Sequence, residues 1–225
     1  MAEVSALDRG ICQASPRANL SGCPTSGRIR LRLSDVGGRL GAVLPSGTCH
    51  PDSAALLPWL AETIAGFVGD QREKKPLALA GFIAVDAANA DRTTFANEIK
   101  ALRALAVDRL PQASDDAAFV YLLQAICGLE GNEVWGKELD RLIDGEADVH
   151  CPECDEETLV DLLTGEPEIT PGSLSERTYR LHAEAVSADR GAVAAGLARL
   201  FGRMICPECG AAFDIADNLA GVSRP

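Results

Sequence analysis

The chain has 225 residues, 47% of them apolar, enough to bury one sizeable core or two small ones. Its formal charge of −12 argues against a nucleic acid or an anionic membrane surface as partner. No stretch approaches the roughly 20 apolar residues of a membrane span, and Met1–Gly10 lacks the basic start and apolar core of a signal peptide. The expected setting is therefore the cytoplasm, where the eight cysteines stay reduced.

Residues 1–45 are dominated by Gly, Ser, Arg and Pro and are expected to be partly disordered, with one alternating run, Ile29-Arg30-Leu31-Arg32-Leu33, that reads as an edge strand. From Ser53 the pattern turns helical. Ser53 is placed to cap a helix carrying Leu56, Leu57, Leu60, Ile64 and Phe67, which Pro58 kinks or restarts. A second helix, with Pro76 in its first turn and Leu77, Leu79, Ala80, Ile83 and Val85 along it, is apolar nearly all round and so should be buried between neighbours. A third runs from Phe95 to Leu110 with Ile99, Leu102, Leu105 and Ala106 inward. Ser114 opens a fourth through Phe119, Leu122, Leu123 and Ile126, with Asp115 and Asp116 favoured by the helix dipole. Cys127 sits in this run as packed core. Asn132 caps a fifth helix through Val134, Leu139, Leu142 and Ile143, closed by Gly145.

Helix pairs beginning near 53 and 94 recur after about 41 residues, the period of HEAT-type repeats, so residues 46–145 read as a short helical-repeat stack. Such a stack needs a cover at its end. Residues 146–225 are placed to supply it: a strand at 148–150, a cysteine turn, a strand at 157–163, helices at 173–187 and 191–202, and a second cysteine turn. The fold class expected is mostly α.

The two turns are the same four residues, Cys151-Pro152-Glu153-Cys154 and Cys206-Pro207-Glu208-Cys209. Two Cys-x-x-Cys pairs can close a tetrahedral zinc site, and an all-thiolate set leaves no position for substrate or water. Gly210 after the second pair supplies the positive φ such a turn needs, and Asp155 after the first tolerates it. The 51 intervening residues exceed an ordinary ribbon spacing, which requires a helical insertion between turns that meet in space. The competing readings are unmetallated thiols and a thioredoxin-type redox pair. The latter normally opens a helix after a strand, whereas the strand-like run Glu157–Leu163 follows Cys151. Cys12, Cys23, Cys49 and His50 have spacings that match no compact ligand pattern.

Charge is concentrated. Residues 130–168 hold 14 acidic side chains against 2 basic ones. Such a lobe steers a basic protein toward itself, although acidic surfaces also serve solubility alone. Three histidines, His50, His150 and His182, lie in unrelated contexts, and no nucleophile elbow, phosphate loop or dinucleotide fingerprint is present. His150 reads as a strand residue or a donor to a zinc ligand, and His182 as exposed. Asp140 and Asp144 share a helix face as a solvated pair, and Trp59 and Trp135 fit helix faces as core anchors.

The stretch Gly47-Thr48-Cys49-His50-Pro51-Asp52-Ser53-Ala54-Ala55-Leu56-Leu57-Pro58-Trp59-Leu60 resembles the opening helix of uncharacterised bacterial HEAT-repeat-like proteins with two Cys-Pro-x-Cys zinc knuckles. Ala198-Arg199-Leu200-Phe201-Gly202-Arg203-Met204-Ile205-Cys206-Pro207-Glu208-Cys209-Gly210 resembles the way those proteins end. The similarity spans Gly47 to Asn218; the N-terminal segment lies outside it, and Cys49-His50 stands where an aromatic is more usual. The resemblance implies a binding protein, and some members resemble presumed immunity proteins of polymorphic toxin systems.

The reading is a non-enzymatic helical-repeat protein stabilised by structural Zn2+ on Cys151, Cys154, Cys206 and Cys209, which binds another, basic protein. In its sharper form an immunity-type antitoxin places its acidic lobe in the basic active site of a nuclease toxin. The alternatives are a zinc-ribbon adaptor in transcription or another complex, and a thiol redox protein.

Overall fold

The computed structural model describes residues 49, 51–66, 74–165, 168–172 and 175–221. The expected strand at Ile29–Leu33, the expected disorder of residues 1–45, and Phe67 lie outside the described residues. Pro51–Pro225 forms a compact unit distinct from Met1–His50. Among the described residues, no helix is long and apolar enough to cross a membrane.

The unit from Pro51 is mostly helical, with two small sheets and a four-cysteine cluster. A 3-10 turn, Pro51–Leu56, leads into α1 (Leu57–Ala65). Ser53 does not cap α1, because Pro58, lacking an N–H, fits the first α-helical turn and the regular helix starts just ahead of it. Then come α2 (Lys74–Asp86), a short unanticipated α3 (Asn89–Thr94), α4 (Ala96–Arg109) and α5 (Asp116–Leu129). The cap of α5 is Asp115 rather than Ser114: its carboxylate accepts the Ala118 N–H at 2.6 Å, while the Ser114 hydroxyl donates to the same carboxylate.

The helices pack as two adjacent pairs. α1 lies against α2 and α4, α4 against α5, and the largest interface joins α2 to α5. As expected, α2 is buried on most of its circumference, through Leu77, Ala78, Leu79, Ala80, Ile83 and Ala84. Glycines permit the close approach: a Cβ on Gly128 would lie 2.6 Å from the Gly81 carbonyl oxygen, and one on Gly136 would lie 2.7 Å from the Gly128 Cα. Phe119, Leu123, Leu102, Leu57 and Leu60 fill the core around this crossing.

The expected fifth helix is broken into α6 (Trp135–Glu138) and α7 (Arg141–Asp144). Asn132 caps it as anticipated, its Oδ1 accepting the N–H groups of Val134 and Trp135, and Gly145 ends it at φ 77°. Near the end of α6, the Lys137 carbonyl accepts from the buried Gln124 side chain at 2.7 Å, so it is drawn away from the helical ladder. The chain tightens there into i→i+3 bonds at Leu139 and Asp140. Trp135 is core, edge-on to Phe201 at 4.9 Å between centroids; Trp59 is only half-buried.

β1 (Glu146–His150) and β2 (Glu157–Asp161) form an antiparallel hairpin that presents Ala147, Val149 and Val160 inward. β2 stops short of the expected Leu163, because the Asp161 carboxylate accepts from the amides of Leu163 and Thr164 and turns the chain. β3 (Ile169–Thr170), unanticipated, pairs with β4 (Arg203–Ile205), which pairs with β5 (Ala212–Asp214). Between them lie α8 (Glu176–Ser187), capped by Ser175, and α9 (Gly191–Leu200). A 3-10 turn, Ala216–Asn218, then brings Leu219 beside Val149.

The insertion is tied back to the helical pairs by polar contacts. Glu130, at the end of α5, takes Arg103 of α4 and Arg180 of α8, both at 2.5 Å. Burial disfavours its charge, yet these two guanidiniums hold its carboxyl below the usual range. Arg190 reaches Asp116 at 3.2 Å and stacks over Phe119.

Candidate metal centre

Each cysteine turn sits at the tip of an antiparallel pair, the first between β1 and β2, the second between β4 and β5. Their backbones repeat one pattern. In the first, the Cys151 N–H donates to the Glu156 carbonyl at 2.9 Å and the Asp155 N–H returns to the Cys151 carbonyl at 2.9 Å. In the second, Cys206 N–H meets the Ala211 carbonyl at 2.8 Å and Gly210 N–H meets the Cys206 carbonyl at 3.0 Å. The residue after each pair is left-handed, Asp155 at φ 60° and Gly210 at φ 75°. Proline follows the first cysteine of each turn, where a fixed φ favours the bend and no ladder N–H is lost.

The four sulfurs of Cys151, Cys154, Cys206 and Cys209 all lie within 4.8 Å of one another. Two approaches cross between the turns: Cys151 Sγ to Cys209 Sγ at 3.6 Å and Cys154 Sγ to Cys206 Sγ at 3.7 Å. Both exceed a sulfur–sulfur bond of about 2.05 Å, and the four cysteines are free thiols. The first cysteine of each turn is buried and the second exposed. The donor set suits one metal ion of soft or borderline character.

Electrostatics favours a cation at this point. Burial opposes ionisation of Cys151, but the amides of Glu153 and Cys154, together with the Cys209 and Cys154 thiols, outweigh it and bring its pKa down to about 7. Cys154 goes the other way. The Glu156 amide favours its thiolate, yet burial and three neighbouring thiols outweigh that and push it up to about 12. Cys209 is also raised despite the Ala211 amide, by burial and by Cys151 and Cys206. Four sulfurs this close cannot all carry negative charge by themselves, and a bound cation removes the conflict.

The surroundings differ between the turns. Glu153, Asp155, Glu156 and Glu157 are exposed around the first, while Glu208 is the acidic side chain within the second. His150 ends β1 with a buried Nδ1 that has no hydrogen-bond partner, and no hydrogen bond among the described residues joins it to the cysteines. It lines a shallow cleft with Cys151, Pro152, Asp155, Asn218, Leu219 and Gly221.

Other candidates fall elsewhere. Cys49 is buried, and Cys12, Cys23 and His50 lie outside the described residues. Cys127 is core, its thiol pushed up to about 12 by burial and by Glu130. His182 is half-buried on α8 rather than exposed. Asp140 is not a plainly solvated partner of Asp144: burial, then Glu138 and Asp144, raise its pKa to about 6. Sequence reasoning missed how the C-terminal segment secures the hairpin carrying the first turn. The Ala220 N–H donates to the Asp148 carbonyl at 2.8 Å, and the Arg141 guanidinium donates to the Ala220 carbonyl at 2.8 Å. Nothing in the short, mixed sequence Asn218–Gly221 signals that pairing.

Comparison with family models, with curated proteins and with solved structures returns no match for this chain.

Proposed function

We propose that this chain is a non-enzymatic protein whose C-terminal lobe is clamped by structural zinc and whose acidic surface binds a basic partner protein. The convergence of four cysteine sulfurs within 4.8 Å carries the reading. A zinc–thiolate bond of about 2.3 Å implies tetrahedral edges of about 3.8 Å. The separations of 3.6 and 3.7 Å suit that figure. Four thiolates fill the coordination sphere and leave no open position for chemistry. The arrangement of α1 with α4 and α2 with α5 supports the finer reading of a HEAT-like stack of two repeats, with the lobe as its cap. The 14 acidic against 2 basic side chains of residues 130–168 support a basic partner. An immunity-type antitoxin that blocks the basic active site of a nuclease toxin is the most specific form of this reading.

The test is metal analysis followed by affinity capture. Protein purified without added metal should carry one zinc per chain, released by a thiol-directed mercurial in proportion to four thiolates. The tagged, zinc-loaded chain should retain basic proteins at moderate salt. A chain without zinc, or a capture that recovers nucleic acid alone, defeats the reading.

A further inference from the structure

The β1–β2 hairpin has two outer edges, and only one is covered among the described residues. The bonds from Cys151 N–H to Glu156 and from Leu162 N–H to Gly145 fix which residues face each other through hydrogen bonds. In an antiparallel pair these alternate with non-bonded pairs, so Ala147 pairs with Val160 and Val149 with Thr158 through the ladder. The intervening pairs, Glu146 with Asp161, Asp148 with Leu159 and His150 with Glu157, direct their N–H and C=O groups outward. The outward carbonyl of Asp148 is indeed taken by Ala220, which agrees with this phase and occupies the middle of the β1 edge. On the β2 edge, Glu157 and Leu159 offer both groups and Asp161 its N–H, its carbonyl being used by Gly165. No strand pairs there among the described residues.

The side chains along this edge share one sign. Glu157 is exposed, Leu159 is 53% exposed, and Asp161 follows, with exposed Glu156 just before them. No ion pair among the described residues engages Glu156 or Glu157, whereas the Asp161 carboxylate is taken up by the Leu163 and Thr164 amides and feels Arg199. Charges on an edge strand ordinarily prevent pairing with another copy, and here the matching sign repels a second copy of this chain. A strand with basic side chains meets no such repulsion. It gains main-chain hydrogen bonds, opposite-charge neighbours and an exposed leucine to pack on.

We propose that the outer edge of β2 is the docking site for an extended basic segment of the partner protein, which adds to the hairpin as a third antiparallel or parallel strand. The inference rests on the reading of the acidic lobe as a surface for a basic protein, and it specifies where and in what conformation that protein is held.

The test uses the full zinc-loaded chain and a capped peptide of about eight residues, ordinary strand length, that alternates arginine with valine. A second peptide of identical sequence and charge carries N-methyl groups on alternate backbone amides. Calorimetric titration should show at least about tenfold weaker binding of the methylated peptide, since it cannot complete the strand ladder. Amide exchange at Glu157 and Leu159 should slow only with the unmethylated one. The Leu159→Pro variant, which deletes an outward N–H and spares the ladder to β1, should lose the same preference. Equal affinity for both peptides overturns the edge site and leaves the acidic-lobe reading standing. Binding of neither peptide also overturns the edge site, and affinity capture then decides the broader reading by itself.

Discussion

Between Leu57 and Leu129 the chain buries long apolar side chains on facing helices, Leu57, Leu60, Ile64, Leu77, Ile83, Leu102, Phe119 and Leu123 among them. Between Glu146 and Leu219 it uses strands of two to five residues and two helices, and its buried groups, such as Val160, Leu162, Leu197, Leu200, Phe201 and Phe213, are spread over these short elements. A lone two-stranded hairpin is marginal in water. The cysteine cluster sits where the second region is least able to hold itself, at the tips of two hairpins separated by 51 residues of chain. The difference teaches that the first region is held by helix-on-helix burial, whereas the second, on the proposed reading, adds one point of closure at the cysteines to a core spread over short elements.

The sharpest way to break that contrast is to remove the closure. Cys206→Ser, or chelation verified by metal analysis, should abolish amide protection across β1 to β5 while α2 and α5 keep much of theirs. The effect should be large, since structural zinc is worth about 10–16 kcal/mol in small finger peptides. Hydrogen exchange by mass spectrometry reads both regions at once, and uniform loss would show that they melt together.

The reciprocal change attacks the helices. Gly128→Ala places a Cβ 2.6 Å from the Gly81 carbonyl oxygen, so α2 and α5 must separate. A loss of about 2–4 kcal/mol in urea unfolding is expected, with any metal content unchanged. An unaltered midpoint would mean that the helix pair yields without cost.

A pH series sharpens the contrast at the junction. The folded pKa of Asp140, about 6, lies above its ordinary value, so the folded state holds this proton more tightly. Stability is therefore greatest, as far as this group is concerned, at low pH, and declines as pH rises from about 4 to about 6. Asp140→Asn should remove that decline and raise stability at pH 7 by about 1–2 kcal/mol, after discounting for partial solvent screening. Glu130 behaves oppositely. Its lowered pKa contributes stability above the ordinary glutamate value, which is lost as pH falls through the folded value, and Glu130→Gln should flatten that limb. Thermal melts from about pH 2.5 to 8 cover both limbs and separate the two.

The smallest effect compares the two turns themselves. Gly210→Ala forces a side chain into φ 75° and should cost about 1 kcal/mol, lowering metal affinity several-fold in competition with a chromophoric chelator. Asp155→Gly, at φ 60° already, should be neutral or slightly favourable by the same measurement.

The sequence by itself determined the helical regions from Ser53 onward, the four ligand candidates and the left-handed residue after each pair, because these rest on local chemistry: periodic burial, turn-forming residues and thiol spacing. Details that depend on distant partners were not legible. The rupture of the helix after Asn132 follows from Gln124 reaching the Lys137 carbonyl, and α2 owes its closeness to α5 to glycines 81 and 128, which local pattern reads as neutral. The raised pKa of Asp140 likewise needs burial that no spacing of carboxylates predicts. The meeting of the two cysteine turns was expected from their repeated spacing, but only the tertiary structure decided that the C-terminal segment joins one hairpin edge and that no described strand pairs with the other. Such pairings are settled by where the whole chain packs, not by the residues that make them.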